Sequence, residues 1–88
     1  MSWVVRIADD AQLFIQGLPD KARRQVSRSI SQLENDPFQG DVKPLGGKAW
    51  KGCYRKRTGD YRIIFFVHHE HRLVDVSRVL LRSEKTYR

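Results

Sequence analysis

The apolar run from Tyr61 to Val67 constrains the fold more than any other feature of the sequence. It is the most apolar stretch of the chain, and such a run between polar turns is typical of a strand that is covered on both faces. A chain of 88 residues has room for only one hydrophobic core. We therefore expect this strand to anchor the core of a single domain that spans residues 1–88.

Two amphipathic segments precede this strand and predict a helical hairpin. The first helix is predicted to begin after an N-cap at Asp9 or Asp10 and to end at residues 17–19. Its apolar residues recur at helical spacing: Ala11, Phe14, Ile15 and Leu18. The second opens at Pro19 or Asp20 and stops at 35–37, with a buried stripe predicted at Ala22, Val26, Ile30 and Leu33. Its remaining surface carries Arg23, Arg24 and Arg28.

The other segments have the period of two that is typical of strands. They are Trp3–Ile7, a segment that starts at Trp50, the central run, and Leu73–Leu81. In the last of these, Val74, Val76 and Leu80 are predicted to share a face. Residues 37–49 are rich in Pro and Gly and predict no regular element. The order βααβββ predicts an α+β fold, with the helical hairpin on one face of a mainly antiparallel sheet of three to five strands.

The net charge of +7 lies entirely in the second half of the sequence, because residues 1–44 are neutral. A one-sided basic surface favours polyanions, of which nucleic acid is the commonest, although a general solubility charge is the alternative. Six cations lie among the aromatic residues Trp50, Tyr54 and Tyr61, and they are Lys48, Lys51, Arg55, Lys56, Arg57 and Arg62. Cations interleaved with aromatic rings favour single-stranded RNA. A single cysteine, no membrane-length apolar run and no leader favour a cytoplasmic protein without membrane contact.

The hairpin around 58–60 predicts a pair of like charges. If its loop is the two residues Thr58-Gly59, Arg55 lies opposite Arg62 and Cys53 lies opposite Ile64. Like charges opposed across a sheet are destabilising, so an anion such as a phosphate is expected between them. A three-residue loop would separate the pair.

The motifs Pro44-Leu45-Gly46-Gly47, Trp50-Lys51-Gly52 and Tyr54-Arg55-Lys56-Arg57-Thr58-Gly59-Asp60-Tyr61-Arg62-Ile63-Ile64-Phe65 resemble the RelE branch of the RelE/ParE bacterial toxin superfamily. The resemblance implies a toxin of a type II toxin–antitoxin pair that cleaves mRNA on the ribosome as an endoribonuclease. It implies a cognate antitoxin as partner, contact with operator DNA through that antitoxin, and neither a metal nor an organic cofactor.

The resemblance also implies site residues. Arg55 and Arg62 would clamp the phosphate, Arg82 would lie near the leaving oxygen, and Tyr87 would stack on or activate the cleaved nucleotide. The two lysine positions of RelE hold Cys53 and Arg55 here, so Lys51 or Lys56 is the candidate general base, and Lys51 is predicted to share the face of Arg55. Further RNA contacts are expected from Lys48, Lys56, Arg57 and Arg78.

Two other functions compete with RNA cleavage: a ParE-like inhibitor of DNA gyrase, and an RNA-binding homologue without catalysis. His68, His69 and His71 with Glu70 could suggest a metal site or a histidine base. Their place in a turn predicts a solvent-exposed segment instead. Cys53 is predicted to be a small strand residue and not a nucleophile.

Overall fold

The segments with a period of two form one sheet in the computed structural model, which describes residues 2–47 and 51–81. Its strands are β1 (Val4–Ile7), β2 (Val42–Pro44), β3 (Cys53–Thr58), β4 (Tyr61–His68) and β5 (Leu73–Leu81). Their order across the sheet is β1-β5-β4-β3-β2. The pair β1 and β5 is parallel, and the other neighbouring pairs are antiparallel. The predicted α+β fold with a mainly antiparallel sheet is confirmed.

The helices α1 (Asp9–Gln16) and α2 (Asp20–Gln32) form the predicted hairpin. The N-cap position of α1 is Ala8, so Asp9 and Asp10 lie in the first turn rather than at the cap. Carboxylates in a first turn stabilise the positive end of the helix dipole. Pro19 precedes α2 directly and its fixed φ suits a helix start, as the sequence predicts.

The main core lies between the helical hairpin and the sheet. The helices contribute Ala11, Ile15, Val26, Ile30 and Leu33, and the sheet contributes Ile63, Phe65, Val67, Val74, Val76 and Val79. β4 is the middle strand of the five, and its Phe65 is fully buried. Burial of one such side chain contributes about 1.5–3 kcal/mol. The prediction that this strand anchors the core is confirmed.

The segment 37–49 contains a short strand that the sequence did not predict. β2 pairs antiparallel with β3, with Val42 opposite Lys56 and Pro44 opposite Tyr54. β2 is the last strand of the sheet, where Pro44 is tolerated because an edge strand can lack a ladder donor. The expectation of no regular element here is therefore wrong for these three residues.

A β-bulge changes the predicted faces of β5. The register between β4 and β5 shifts between Ile64 and Phe65, and Ser77 is the extra residue. Beyond the bulge Val79 points into the main core, whereas Leu80 packs on the opposite face of the sheet. The prediction that Leu80 shares the face of the two preceding valines is wrong, because the extra residue reverses the alternation.

Candidate functional site

The candidate site lies on the face of the sheet turned away from the helices, which we call the open face. Alternation along β3 places Arg55 and Arg57 on this face together with Cys53. The open face has a small apolar cluster of its own, formed by Cys53, Ile64 and Leu80 with Leu45 and Phe66 packed against it. Arg55 and Arg57 therefore share this face of the sheet with an apolar cluster.

The turn between β3 and β4 differs from the predicted one by a residue. Thr58 pairs with Tyr61, so the loop is Gly59-Asp60. Gly59 has a φ of +57°, and the favoured two-residue hairpin turns need a positive φ at this first loop position. A loop of Thr58-Gly59 would place β-branched Thr58 there, where its side chain is disfavoured. The predicted loop is wrong for this reason.

The corrected loop moves every cross-strand partner by two residues. Arg57, and not Arg55, lies opposite Arg62, while Arg55 lies opposite Ile64 and Cys53 opposite Phe66. A shift of two residues keeps each side chain on its predicted face. Two arginines thus oppose each other across the ladder as expected, but a different residue of β3 supplies one of them.

Arg78 adds a cation from the third strand. It pairs with Ile64, and its second neighbour Leu80 pairs with Arg62, so Arg62 and Arg78 are diagonal neighbours on the open face. Diagonal neighbours lie about 7–8 Å apart, within reach of long side chains. Arg78 is exposed, and the Arg57 side chain is 37% exposed. β3, β4 and β5 therefore each supply an arginine to one surface.

Arg55 is held inside the protein by Asp41. The residue is 7% exposed, and its Nη1 donates to both the backbone oxygen and Oδ1 of Asp41 at 3.1 Å. The other carboxylate oxygen, Oδ2, lies 4.0 Å from Nη1 of Arg57. The hydrogen bond from Arg55 lowers the pKa of the Asp41 carboxyl. Sequence reasoning missed Asp41, because only the unpredicted pairing of β2 with β3 brings it to the open face.

Lys56 lies on the other side of β3, beneath α2. It is 3% exposed, and its Nζ donates to the backbone oxygen of Ser29 at 3.2 Å and to Oε1 of Gln32 at 3.0 Å. Burial lowers the pKa of this ammonium. The predicted RNA contact of Lys56 is corrected, because the sheet separates the side chain from the open face. The same placement removes it as a general base there.

Lys51 is exposed in the turn that precedes β3. The next residue, Gly52, has a φ of +79°, so the alternation of the strand does not extend back to Lys51. Its predicted place on the face of Arg55 stays a prediction. The same holds for Lys48, Arg82 and Tyr87, which lie outside the described residues, as does Trp50.

Cys53 has the structural role that the sequence predicts. It is 1% exposed inside the apolar cluster of the open face. Burial raises the pKa of its thiol, which keeps the sulfur protonated and unreactive. Cys53 therefore contributes a small apolar side chain to the floor of the site.

The histidines between β4 and β5 are exposed, as predicted. His68 Nε2 lies 3.0 Å from Oδ2 of Asp75, and His69 stacks on Phe38. Within residues 2–47 and 51–81, no group of three or more His, Cys, Asp or Glu side chains could hold a metal ion. In the same residues no helix is long and apolar enough to cross a membrane.

Comparison with solved structures shows the same fold in RelE toxins. A chain of the toxin–antitoxin complex RelBE2 from Mycobacterium tuberculosis is 26% identical with a TM-score of 0.81, and the match covers 93% of this chain and 100% of that one. For the archaeal RelE–RelB complex from Pyrococcus horikoshii OT3 the identity is 27%, the TM-score 0.80 and the coverage 97% and 100%. The isolated RelE toxin of E. coli shares the fold at 19% identity and a TM-score of 0.76, with coverage of 96% and 88%.

Comparison with sequence families gives the same superfamily. No curated protein sequence matches the chain. The sequence model of the ParE toxin of type II toxin–antitoxin systems, parDE, matches residues 4–86. The resemblance to the RelE branch is confirmed by the RelE structures. The chain belongs to the RelE/ParE superfamily and is a toxin of a type II toxin–antitoxin system.

Proposed function

We propose that this toxin is an endoribonuclease that cleaves mRNA on the ribosome, with the scissile phosphate bound at the open face. The observation that carries the proposal is the direct pairing of Arg57 with Arg62 beside Arg78. Like charges opposed across a ladder are unfavourable, and an anion bound between them relieves the repulsion. A phosphodiester is such an anion, and the guanidinium fork matches its oxygens.

The proposed reaction needs only the substrate's own 2′-OH as nucleophile. The protein must take the proton of that hydroxyl, stabilise the extra negative charge on phosphorus and protonate the leaving 5′-oxygen. Arg57 and Arg62 are suited to the second task, and Arg55 is a positioning residue because Asp41 contacts both Arg55 and Arg57. The family resemblance supplies the remaining proposed roles: Lys51 as base, Lys48 as an RNA contact, Arg82 near the leaving oxygen, and Tyr87 against the nucleotide.

The proposed partner in the resting cell is a cognate antitoxin. The similar structures from M. tuberculosis and P. horikoshii are toxin–antitoxin complexes, which supports this partner. An acidic or amphipathic antitoxin segment on the open face would neutralise its arginines and displace RNA. Binding of operator DNA is proposed to occur through that antitoxin.

Two alternatives each have an observation in their favour. The matching family model carries the name ParE, which favours an inhibitor of DNA gyrase that acts by protein contact. Cys53 is buried and Arg55 is bonded to Asp41, so neither of these two positions offers a base, which favours an RNA-binding homologue without catalysis.

An assay with translating ribosomes distinguishes the three proposed functions. The purified toxin is incubated with them, and the 5′ ends of the mRNA are mapped by primer extension. Cuts at codon spacing support the proposal. Inhibition of gyrase supercoiling without cuts supports the first alternative, and retention of RNA without either effect supports the second.

Arg62→Ala is the sharpest variant for this assay. We expect cleavage to fall about 100-fold or more, because one group that stabilises the transition-state charge is lost. The free energy of unfolding should change by less than about 1 kcal/mol, since the side chain lies outside the main core. Arg6→Ala, an exposed cation on β1, is the matched control and should cleave normally. Cleavage by Arg62→Ala at the wild-type rate would contradict the proposal.

A further inference from the structure

The outer side of α2 carries cations that the open face does not use. Lys21, Arg24 and Arg28 are exposed, and we call them the basic row. At 3.6 residues per turn they fall within about 60° of arc around the helix. The buried residues Val26 and Ile30 lie on the opposite side of α2, against the core. The basic row therefore points away from the sheet and into solvent.

Nothing in the described part of the chain neutralises the basic row. Asp20 is the one carboxylate of α2, and it is ion-paired with Arg23. The side chains of the basic row make no ion pair or hydrogen bond with residues 2–47 or 51–81. Arg24 and Arg28 repel each other at a spacing of four residues. Lys21 lies in the first turn, where the helix dipole disfavours a cation.

The chemistry of the surface favours nucleic acid over protein. The exposed side chains that flank the cations are polar: Ser27 and Ser31 on one side, and Gln25 and Gln32 on the side toward β3. The large exposed hydrophobic residues of the described chain all lie outside α2. Protein interfaces have an apolar centre, whereas nucleic-acid interfaces are polar and positively charged. The basic row extends over about 10 Å along the helix axis, a length over which one strand of a nucleic-acid duplex presents several phosphates.

We propose that the basic row binds the phosphate backbone of an RNA helix, as a second contact surface on the layer opposite the open face. This inference rests on the proposed function, because a toxin that cleaves mRNA on the ribosome works among structured RNA. The open face would hold the substrate strand while α2 contacts a neighbouring RNA helix. The two surfaces have separate roles, since the main core lies between the helices and the sheet.

The test uses the full chain and a fluorescent RNA duplex that carries 2′-O-methyl groups on both strands, so that it cannot be cleaved. Binding is measured by anisotropy over a range of NaCl concentrations. The variant Arg24→Gln/Arg28→Gln is compared with Arg6→Gln/Arg72→Gln, which removes the same charge from exposed positions outside α2. We expect the first variant to bind roughly tenfold or more weakly near 0.1 M salt, with a slope of log K against log salt lower by about two. The control should keep the wild-type slope.

Equal losses in the two double variants would overturn the inference, because only net charge would then matter. Unchanged duplex binding with weaker antitoxin binding would also overturn it and assign the row to a protein. Arg24→Lys/Arg28→Lys should restore most of the affinity, which separates charge from misfolding. Since the probe cannot be cleaved, a toxin inactive on mRNA that still shows the expected difference refutes the proposed function alone.

Discussion

A single carboxylate, Asp41, organises two arginines of the open face. Arg55 is buried, and a buried guanidinium without a partner would be strongly destabilising. Asp41 accepts its hydrogen bonds and lies near Arg57 as well. The carboxylate therefore offsets part of the repulsion that the arginines create, and it links β3 to the segment before β2.

Asp41→Asn tests this role through pH. The folded-state pKa of Asp41 is lowered, chiefly by the hydrogen bond from Arg55, below the unfolded value of about 3.9. The stability that the ionised carboxylate contributes is thus present above about pH 4 and is lost as the pH falls through the folded-state pKa. Urea denaturation should show Asp41→Asn to be less stable than the wild type at pH 7, with the gap narrowing at pH 3.

The exposed carboxylate Asp60 provides the control, because it makes no ion pair within the described residues. Asp60→Asn should follow the wild-type profile between pH 3 and pH 7. A constant gap between Asp41→Asn and the wild type over that range would show that charge plays no part in the effect.

The sequence shows which arginines lie on the strands, but it predicted Arg55 instead of Arg57 opposite Arg62 and did not reveal what holds Arg55. Arg57 and Arg62 follow the visible alternation of β3 and β4. Alternation along β5 would put Arg78 on the face of Val74 and Val76, and only the bulge at Ser77 brings it to the open face. The contact between Arg55 and Asp41 depends on the pairing of β2 with β3, which a three-residue strand with a proline does not reveal. Lys56 was misplaced as an RNA contact because its burial depends on where α2 packs.

At the level of elements, the turn between β3 and β4 decides which residues meet. Gly59 has a positive φ, and a Cβ added there would lie 2.5 Å from Oε1 of Gln25 on α2. Gly59→Ala should therefore lower the free energy of unfolding by about 1–2 kcal/mol. Chemical denaturation measures this change.

Gly46→Ala is the matched control for the turn. A Cβ at Gly46 meets nothing within 4 Å, and its φ is not positive. We expect this variant to be as stable as the wild type or more stable by up to about 1 kcal/mol, because alanine restricts the unfolded chain. Equal effects of the two substitutions would mean that the left-handed turn is not needed.

Periodicity predicted most elements, and the exceptions have physical causes. The strand Leu73–Leu81 has its predicted bounds, and the helical hairpin follows its apolar spacing. The bulge at Ser77 escaped prediction, because an extra residue in one strand leaves no mark in that strand's composition. Val79 therefore lies in the main core and Leu80 on the open face, the reverse of their predicted faces.

At the scale of the whole molecule, positive charge lies on both layers of the fold. The charge count by halves did not reveal the basic row. The acidic residues elsewhere in the first half cancel the positive charge of α2, so that half is neutral as a whole. The net charge of +7 and the opposed Arg57 and Arg62 both oppose compaction. The free toxin should therefore be less stable at low salt, where this repulsion is screened least.

The urea midpoint of the free wild-type toxin should rise between about 0.03 and 0.3 M NaCl, as the screening length falls. Arg57→Gln should stabilise the chain at low salt by about 0.2–1 kcal/mol and show a smaller dependence on salt. Arg6→Gln removes the same charge away from the arginine pair and should leave most of the salt dependence in place. A midpoint that falls with added salt would contradict this account.

The position of β5 between β1 and β4 has a consequence for biosynthesis. Within the described residues β1 pairs only with residues 73–76 of β5, so β1 stays unpaired until β5 has left the ribosome. The five-stranded sheet is complete only after β5 has paired with both β1 and β4. A chain translated only as far as β4 therefore lacks the strand that joins β1 to the rest of the sheet.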